Sequence, residues 1–182
     1  MVQSRGVKRV TIHARKALLK GLSPKENRDI PPLNYPLVLQ MKLAFPGLHL
    51  SINGGVNSLA AAQEHLSAGL DGAMIGRAAY QNPYDILARV DCDVFEGDAA
   101  PSADDIAEQM IPYIEAHLQQ GERLHQITRH MFGLFAGQTG ARHWRRRLSE
   151  LGGKHGSNLA DYRILLNEMR VILAQQQELE VG

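Results

Sequence analysis

The chain has 182 residues, with 20 basic and 19 acidic side chains, 44% hydrophobic residues and one cysteine. This composition is that of a globular protein large enough to bury a core, and it excludes disordered, collagen-like and disulfide-stabilised classes. A single cysteine, Cys92, cannot form an internal disulfide or a multi-cysteine zinc site, and no apolar run reaches the roughly 18 residues of a membrane span. We therefore expect a cytoplasmic protein with no membrane partner.

Short β-branched runs alternate with helical patterns over the first 90 residues. Strands are predicted at 9–14, 48–53 and 72–76, and helices at 35–45 and 58–68. This alternation predicts right-handed βαβ units and a parallel sheet, so the fold class is α/β. A (β/α)₈ TIM barrel takes roughly 250 residues. We therefore predict only the last three βα units of such a barrel, in a chain truncated at its N-terminus.

Later in the chain the strand pattern ends. Turn residues at 97–101 predict a linker, and Ser102 with Asp105 predicts the capping box of a helix. From there apolar residues recur at spacings of three and four, which predicts helices that each bury one face. We predict two domains, a partial TIM barrel over residues 1–97 and a small all-α helical domain over residues 98–182.

Charge is segregated along the chain although the total is near zero. Residues 1–28 carry eight Lys or Arg and one acid, residues 91–122 carry nine acids and no Lys or Arg, and residues 123–163 carry eight Lys or Arg and two acids. Separate basic blocks can focus an electrostatic field on a polyanion such as nucleic acid. Solvated helix faces give the same pattern and are the commoner explanation from charge alone.

Two glycine motifs follow directly after predicted strands. They are Asn53 with Gly54 and Gly55 after the second strand, and Gly76 with Arg77 after the third. Glycine lets backbone N–H groups approach a ligand, and the loops after the last strands of a barrel commonly bind phosphate. Each motif alone could be an ordinary βα turn, but the pair together favours phosphate binding.

The histidines and the cysteine are weaker candidates. His13 ends the first predicted strand, where it could donate a hydrogen bond to a phosphate or a flavin, or simply be a satisfied side chain. His125 and His130 are five residues apart with no nearby ligand partner, so no metal site is predicted. The carboxylates on either side of Cys92 disfavour the thiolate, which argues against a nucleophile.

An arginine stripe is predicted within residues 140–149. On a helix, Arg142, Arg145 and Arg146 share one face while apolar residues point to another. Such a stripe suits the phosphates of RNA. A solvated helix face explains this motif equally well.

Five segments of the chain carry, in order, the motifs of a known family. They are TIHARKA (11–17), GLSPKENR (21–28), SINGG (51–55), MIGR with AYQNP (74–77 and 79–83), and TRHM with GARHWRR (128–131 and 140–146). Together they resemble the carboxyl-terminal half of the tRNA-dihydrouridine synthase A family. The resemblance implies an FMN enzyme that uses NADPH to reduce uridine to 5,6-dihydrouridine at positions 20 and 20a of the tRNA D-loop.

The resemblance also implies roles for particular residues. Six residues fall on FMN-binding positions: His13, Asn53, Gly54, Gly55, Gly76 and Arg77. Four fall on positions that orient tRNA: Lys25, Arg28, Arg142 and Arg145. The helical domain would then be the tRNA-binding domain.

One departure from the family bears on activity. The family's general-acid cysteine, within an Asn-x-Gly-Cys-Pro sequence of the first barrel half, has no counterpart here, and Cys92 is not its equivalent. The resemblance therefore implies no catalytic residue in this chain, which alone would be inactive or nearly so. An open half barrel also predicts aggregation, self-association or dependence on the missing half.

Two alternatives stay open. One is a non-catalytic RNA-binding remnant that keeps the arginines of 142–146 but holds no flavin. The other is a flavin-dependent barrel oxidoreductase that acts on a small molecule, which would leave the basic helical domain without a role.

Overall fold

A computed structural model describes residues 5–18 and 20–181. Its contacts divide the chain into two compact units, Met1–Ala78 and Ala79–Gly182, each with its own hydrophobic core. This division lies earlier than the predicted domain boundary after residue 97, because Tyr84 packs against the core of the second unit and its hydroxyl donates to the Pro101 carbonyl at 3.2 Å. The outermost residues of the predicted domains, 1–4 and 182, lie outside the described part of the chain.

The first unit is a mixed α/β structure built on a three-stranded parallel sheet in the order β1-β2-β3. Its elements are β1 (Arg9–His13), α1 (Glu26–Asp29), α2 (Tyr35–Ala44), β2 (His49–Asn53), α3 (Leu59–Ser67) and β3 (Gly72–Met74). Asn34 and Ser58 begin α2 and α3, since their side chains accept from backbone N–H groups of the first turn. The predicted strands, the two predicted helices and the parallel sheet are therefore confirmed.

The core of the first unit is centred on β2. Leu50 and Ile52 are completely buried, and Val38 of α2 is almost so. Each such side chain contributes roughly 1.5–3 kcal/mol on burial. Because a slip of one residue would turn both β2 side chains to the opposite face, this burial fixes the strand register.

The second unit contains only helices within its described residues. They are α5 (Pro83–Phe95), α6 (Ala103–Gln109), α7 (Ile111–Gln119), α8 (His125–Thr128), α9 (Ala141–Gly153) and α10 (Leu159–Val181); the short α4 (Arg77–Gln81) crosses the division between the units. The predicted capping box is present, with Ser102 accepting from the Asp105 N–H at 3.0 Å. None of the described helices is long and apolar enough to span a bilayer.

Two stretches whose apolar residues recur at helical spacing, 106–118 and 124–135, are interrupted in the structure. The first divides into α6 and α7 at Met110, because Pro112 cannot donate a backbone hydrogen bond to the preceding turn. The second is helical only over α8 and continues as turns from residue 129. Beyond this stretch, Gly137 and Gly140 adopt positive φ angles of 77° and 81°. The apolar residues of that second stretch are nevertheless buried, because successive turns keep them on the core side.

Trp144 of α9 lies at the centre of the second core. It is fully buried, its ring centroid is 4.9 Å from that of Phe135 and 6.4 Å from that of Tyr162, and its indole N–H donates to the Met131 carbonyl at 2.7 Å. Tyr162 of α10 is also fully buried, and its hydroxyl donates to the Ala107 carbonyl at 2.8 Å. These contacts hold α9 against the turns that precede it.

We expect Tyr162→Phe to lower the free energy of unfolding by about 1–3 kcal/mol, because the buried Ala107 carbonyl loses its donor without a change in packing. The matched control is Tyr113→Phe, since Tyr113 is 61% exposed. Urea unfolding followed by the fluorescence of Trp144, the only tryptophan, measures both. Equal stabilities for the two variants would show that the buried hydrogen bond contributes nothing.

Candidate functional site

The parallel register brings the carboxyl ends of the three strands to one edge of the sheet. His13 stands opposite Asn53, and Asn53 stands opposite Met74. The two glycine motifs continue the chain directly beyond these strand ends. The structure therefore brings together the six residues predicted to bind FMN, which we call the strand-end site: His13, Asn53, Gly54, Gly55, Gly76 and Arg77.

Gly54 is the residue on which the geometry of the first motif depends. It is buried with φ +101°, and a Cβ built on it would lie 2.9 Å from His13 Cε1, so only glycine fits. Its N–H donates to Asn53 Oδ1 at 2.7 Å, and its carbonyl accepts from the Tyr35 hydroxyl at 3.0 Å. The Asn53 side chain thus shapes this turn. Tyr35 was missed from the sequence, because nothing in a helical pattern marks where its hydroxyl points.

Two backbone donors of the strand-end site are available to a ligand. Within the described part of the chain, no hydrogen bond uses the N–H of Gly55 or of Gly76. Both residues are exposed. A Cβ added to Gly76 would meet nothing within 4 Å, and its φ is not left-handed. Packing therefore does not require glycine at position 76, whereas close approach of a ligand would.

Arg77 is held by an acid that the sequence analysis did not single out. Its Nη1 lies 2.8 Å from Asp29 Oδ1, and the two side chains are 60% and 41% exposed. The hydrogen bond from Arg77 holds the pKa of Asp29 below its usual value. Because an exposed ion pair contributes little to stability, an anionic ligand could replace Asp29 as the partner of Arg77.

His13 lies in a cationic environment. Partial burial lowers its pKa, and the charges of Arg15, Arg28 and Arg77 lower it further. The imidazole is therefore neutral at pH 7 and can donate one hydrogen bond. Arg28, which is predicted to orient tRNA, is thus near enough to influence the charge of His13, which is predicted to bind FMN.

The segment that carries Lys25 and Arg28 is fixed by a side chain. Asn27 of α1 donates to the Leu18 carbonyl at 2.9 Å and accepts from the Leu18 N–H at 2.8 Å. Lys25 and Arg28 are exposed on either side of Asn27, and neither forms an ion pair with any described residue. Their positive charges are therefore free to meet an anion.

In the second unit, the arginines of α9 divide into free and paired side chains. Arg142 and Arg145 are exposed and, within residues 5–18 and 20–181, form no ion pair. Arg146, predicted to share their face, lies 3.8 Å from Glu150 through its Nε and also contacts His143. The uncompensated part of the stripe is thus limited to the two residues that the family resemblance selects.

Arg147 has a structural role instead. Its Nε and Nη2 donate to the two carboxylate oxygens of Glu168 at 2.8 and 3.1 Å, and His143 Nε2 lies 2.7 Å from the same group. The hydrogen bonds from Arg147 lower the pKa of Glu168. This bidentate pair fixes α9 to α10, so Arg142 and Arg145 project from an anchored helix.

No cluster of three or more His, Cys, Asp or Glu residues suited to a metal ion occurs among the described residues. Cys92 is exposed on α5. His130 forms a hydrogen bond with Tyr80.

We expect the stability of the protein to fall with decreasing pH partly through His13. Its folded-state pKa lies below the ordinary value of 6.5, so the unfolded chain binds the proton more readily and stability is lost as the pH falls through the folded pKa. His13→Gln should lose less stability between about pH 7.5 and pH 5 than the wild type. Urea unfolding followed by circular dichroism at several pH values measures this, with the exposed His155→Gln as control. Identical pH profiles for wild type and His13→Gln would contradict the assignment.

Comparison with known proteins gives one consistent result. The family model of dihydrouridine synthases (Dus) matches residues 1–170. The chain is 52% identical over 177 residues to the tRNA-dihydrouridine(20/20a) synthase of Shewanella oneidensis, which covers 96% of this chain and 52% of that protein.

The chain is also similar to proteins of the same name from two further bacteria. The protein of Salmonella typhimurium is 58% identical over 151 residues, covering 82% of this chain and 45% of its own length. The protein of Escherichia coli is 55% identical over 163 residues, with 88% and 46% covered. The chain thus spans about half the length of these curated relatives, and it belongs to the dihydrouridine synthase family.

Proposed function

We propose that this chain supplies part of the FMN site and part of the tRNA surface of an NADPH-driven tRNA-dihydrouridine synthase. The observation that carries the proposal is the strand-end site, where two free backbone N–H groups, a guanidinium and a neutral imidazole follow the ends of three parallel strands. Phosphate-binding sites of barrel enzymes are built in this way at the carboxyl-end face. The names of the relatives support tRNA as the substrate. We propose the cytoplasm as the place where this modification of tRNA occurs.

We propose further that β1, β2 and β3 are consecutive strands of a (β/α)₈ barrel, with the helical unit as the tRNA-binding domain. Among the described residues, no other strand pairs with the outer edge of β1 or of β3. These edges are where neighbouring barrel strands would pair. Some apolar side chains of the first unit are exposed, such as Leu43 (80% exposed) and Ile30 (61% exposed). Their exposure supports the proposal that the rest of a barrel would cover this unit. Self-association of the chain stays a prediction.

The residues of the strand-end site fit the phosphate side of FMN. The N–H groups of Gly55 and Gly76 and the Arg77 guanidinium would hold phosphate oxygens, while His13 would donate a hydrogen bond. Asn53 and Gly54 would act by shaping the turn that presents Gly55. When bound and reduced by NADPH, FMN would supply the hydride that saturates the uracil ring. No side chain of this chain is proposed as the proton donor, since Cys92 is not the counterpart of the family's general-acid cysteine.

A second candidate function is RNA binding without flavin. The Arg77–Asp29 ion pair favours it, because the charge proposed for phosphate already has a partner. The absorption spectrum of the purified chain with added FMN tests the two directly. A bound-flavin spectrum supports the synthase proposal, whereas tRNA binding with no bound flavin supports the second candidate.

We expect Gly76→Ala to weaken FMN binding about tenfold. This loss in affinity equals the contribution of roughly one charge-assisted hydrogen bond to phosphate. The added methyl group meets no protein atom, so the unfolding temperature should not fall. Gly153→Ala is the matched control, since a Cβ at that exposed position also meets open space. Titration of FMN fluorescence measures both, and equal affinities would remove Gly76 from the flavin site.

We expect the double variant Arg142→Ala, Arg145→Ala to bind tRNA more weakly than the wild type and with less dependence on salt. Each lost phosphate contact should lower the slope of log K against log salt by roughly 0.7 to 0.9. Arg163→Ala on α10 is the control, since Arg163 is also exposed and has no ion pair within residues 5–18 and 20–181. Filter binding of unmodified tRNA at several salt concentrations measures the effect. Wild-type affinity in the double variant would instead favour a flavin oxidoreductase that acts on small molecules.

A further inference from the structure

A cavity of about 300 Å³ in the second unit places an exposed tyrosine beside two arginines. Its lining includes Tyr80 and Gln81 of α4, Arg129 and His130 after α8, and Arg145 of α9. The cavity is at the small end of ligand pockets and suits a single nucleotide. Only Arg145 among these residues has a role in the proposed function.

The ring of Tyr80 is held in position although most of the residue is exposed to solvent. The Tyr80 hydroxyl lies 2.9 Å from His130 Nδ1, and the two rings meet edge to face with centroids 6.0 Å apart. Tyr80 is nevertheless 59% exposed. An aromatic ring that is fixed at its hydroxyl and open on its surface can stack on a base at little cost in conformational entropy.

The cavity depends on one close backbone contact. A Cβ on Gly133 would clash with the Gln81 carbonyl and would lie 2.8 Å from Pro83 Cδ. Only glycine therefore lets the turn after α8 approach the end of α4. This approach sets Tyr80 and Gln81 next to Arg129 and His130, so the juxtaposition is a product of the fold.

The charges around the cavity are uncompensated. Arg129 and Arg145 are both exposed, and neither forms an ion pair with a described residue. Among the described residues, no Asp or Glu lines the cavity. Free guanidinium groups beside an aromatic ring favour a ligand that combines negative charge with a flat ring, which is the chemistry of a nucleotide.

We propose that this cavity binds one unpaired nucleotide of the tRNA, with the base stacked on Tyr80 and a phosphate held by Arg129 and Arg145. An unpaired nucleotide is required because stacking on a side chain needs a base that is not covered by its neighbours. The proposal rests on the proposed tRNA-binding function, to which it adds Tyr80, Arg129 and His130.

The stacking contact is tested by tRNA binding of Tyr80→Ala, Tyr80→Phe and Tyr113→Ala. Tyr113 of α7 is the matched control, because it is 61% exposed and is not among the residues that line the cavity. We expect Tyr80→Ala to lose about tenfold in affinity with an unchanged salt slope, while Tyr80→Phe retains most of the affinity because the ring remains. If Tyr80→Phe binds as weakly as Tyr80→Ala, the hydrogen bond to His130 matters and stacking is wrong.

The phosphate contact is tested by Arg129→Gln against Arg163→Gln. We expect Arg129→Gln alone to lower the salt slope by roughly 0.7 to 0.9. Urea unfolding monitored by Trp144 shows that each variant is folded. If Tyr80→Ala and Arg129→Gln both behave as their controls while the Arg142, Arg145 double variant binds weakly, the cavity proposal fails and the tRNA function stands. A wild-type chain that does not bind tRNA overturns both.

Discussion

Burial of Leu50 and Ile52 in the central strand is the constraint on which the strand-end site depends. Both side chains are completely buried, so β2 can occupy only the register in which they face the core. That register sets Asn53 opposite both His13 and Met74. Because the three strands end together, the residues that follow them are brought to one edge. A ligand at this edge would therefore be bound by groups whose positions are decided in the core, several residues away.

Glycine extends this constraint from the strands into the site. At Gly54, the left-handed backbone and the contact with the His13 ring both exclude any other residue. The N–H of Gly54 in this turn donates to the Asn53 side chain, and no hydrogen bond to a described residue uses the N–H of Gly55. Gly76 is different, because no described residue occupies the space beside it. The first glycine is required by the fold, whereas packing does not require the second.

The basic residues also divide between structure and binding. Arg147 is fully engaged with Glu168, and this pair anchors the helix from which Arg142 and Arg145 project. Along α9, Arg142 and Arg145 have no ion pair with a described residue whereas Arg146 and Arg147 are paired, so this segment is not a uniform cationic stripe. In the first unit, Arg77 has Asp29 as a partner while Arg28 has no ion pair among the described residues. On α9, the distribution of ion-pair partners, rather than the number of charges, separates candidate binding residues from structural ones.

The sequence by itself determined the three parallel strands, the helices between them, the capping box at Ser102 and the family, because period-two and period-four patterns, caps and family motifs are local properties of the chain. The apolar spacing over 106–118 and 124–135 predicts unbroken helices, because that spacing alone takes no account of Pro112 or of the turns that follow α8. Only the tertiary structure decided that Asp29 holds Arg77, that Tyr35 fixes Gly54, and that Tyr80 lies beside His130. These contacts join residues between 19 and 50 positions apart, and packing of the cores, not any pattern along the chain, determines which distant side chains meet.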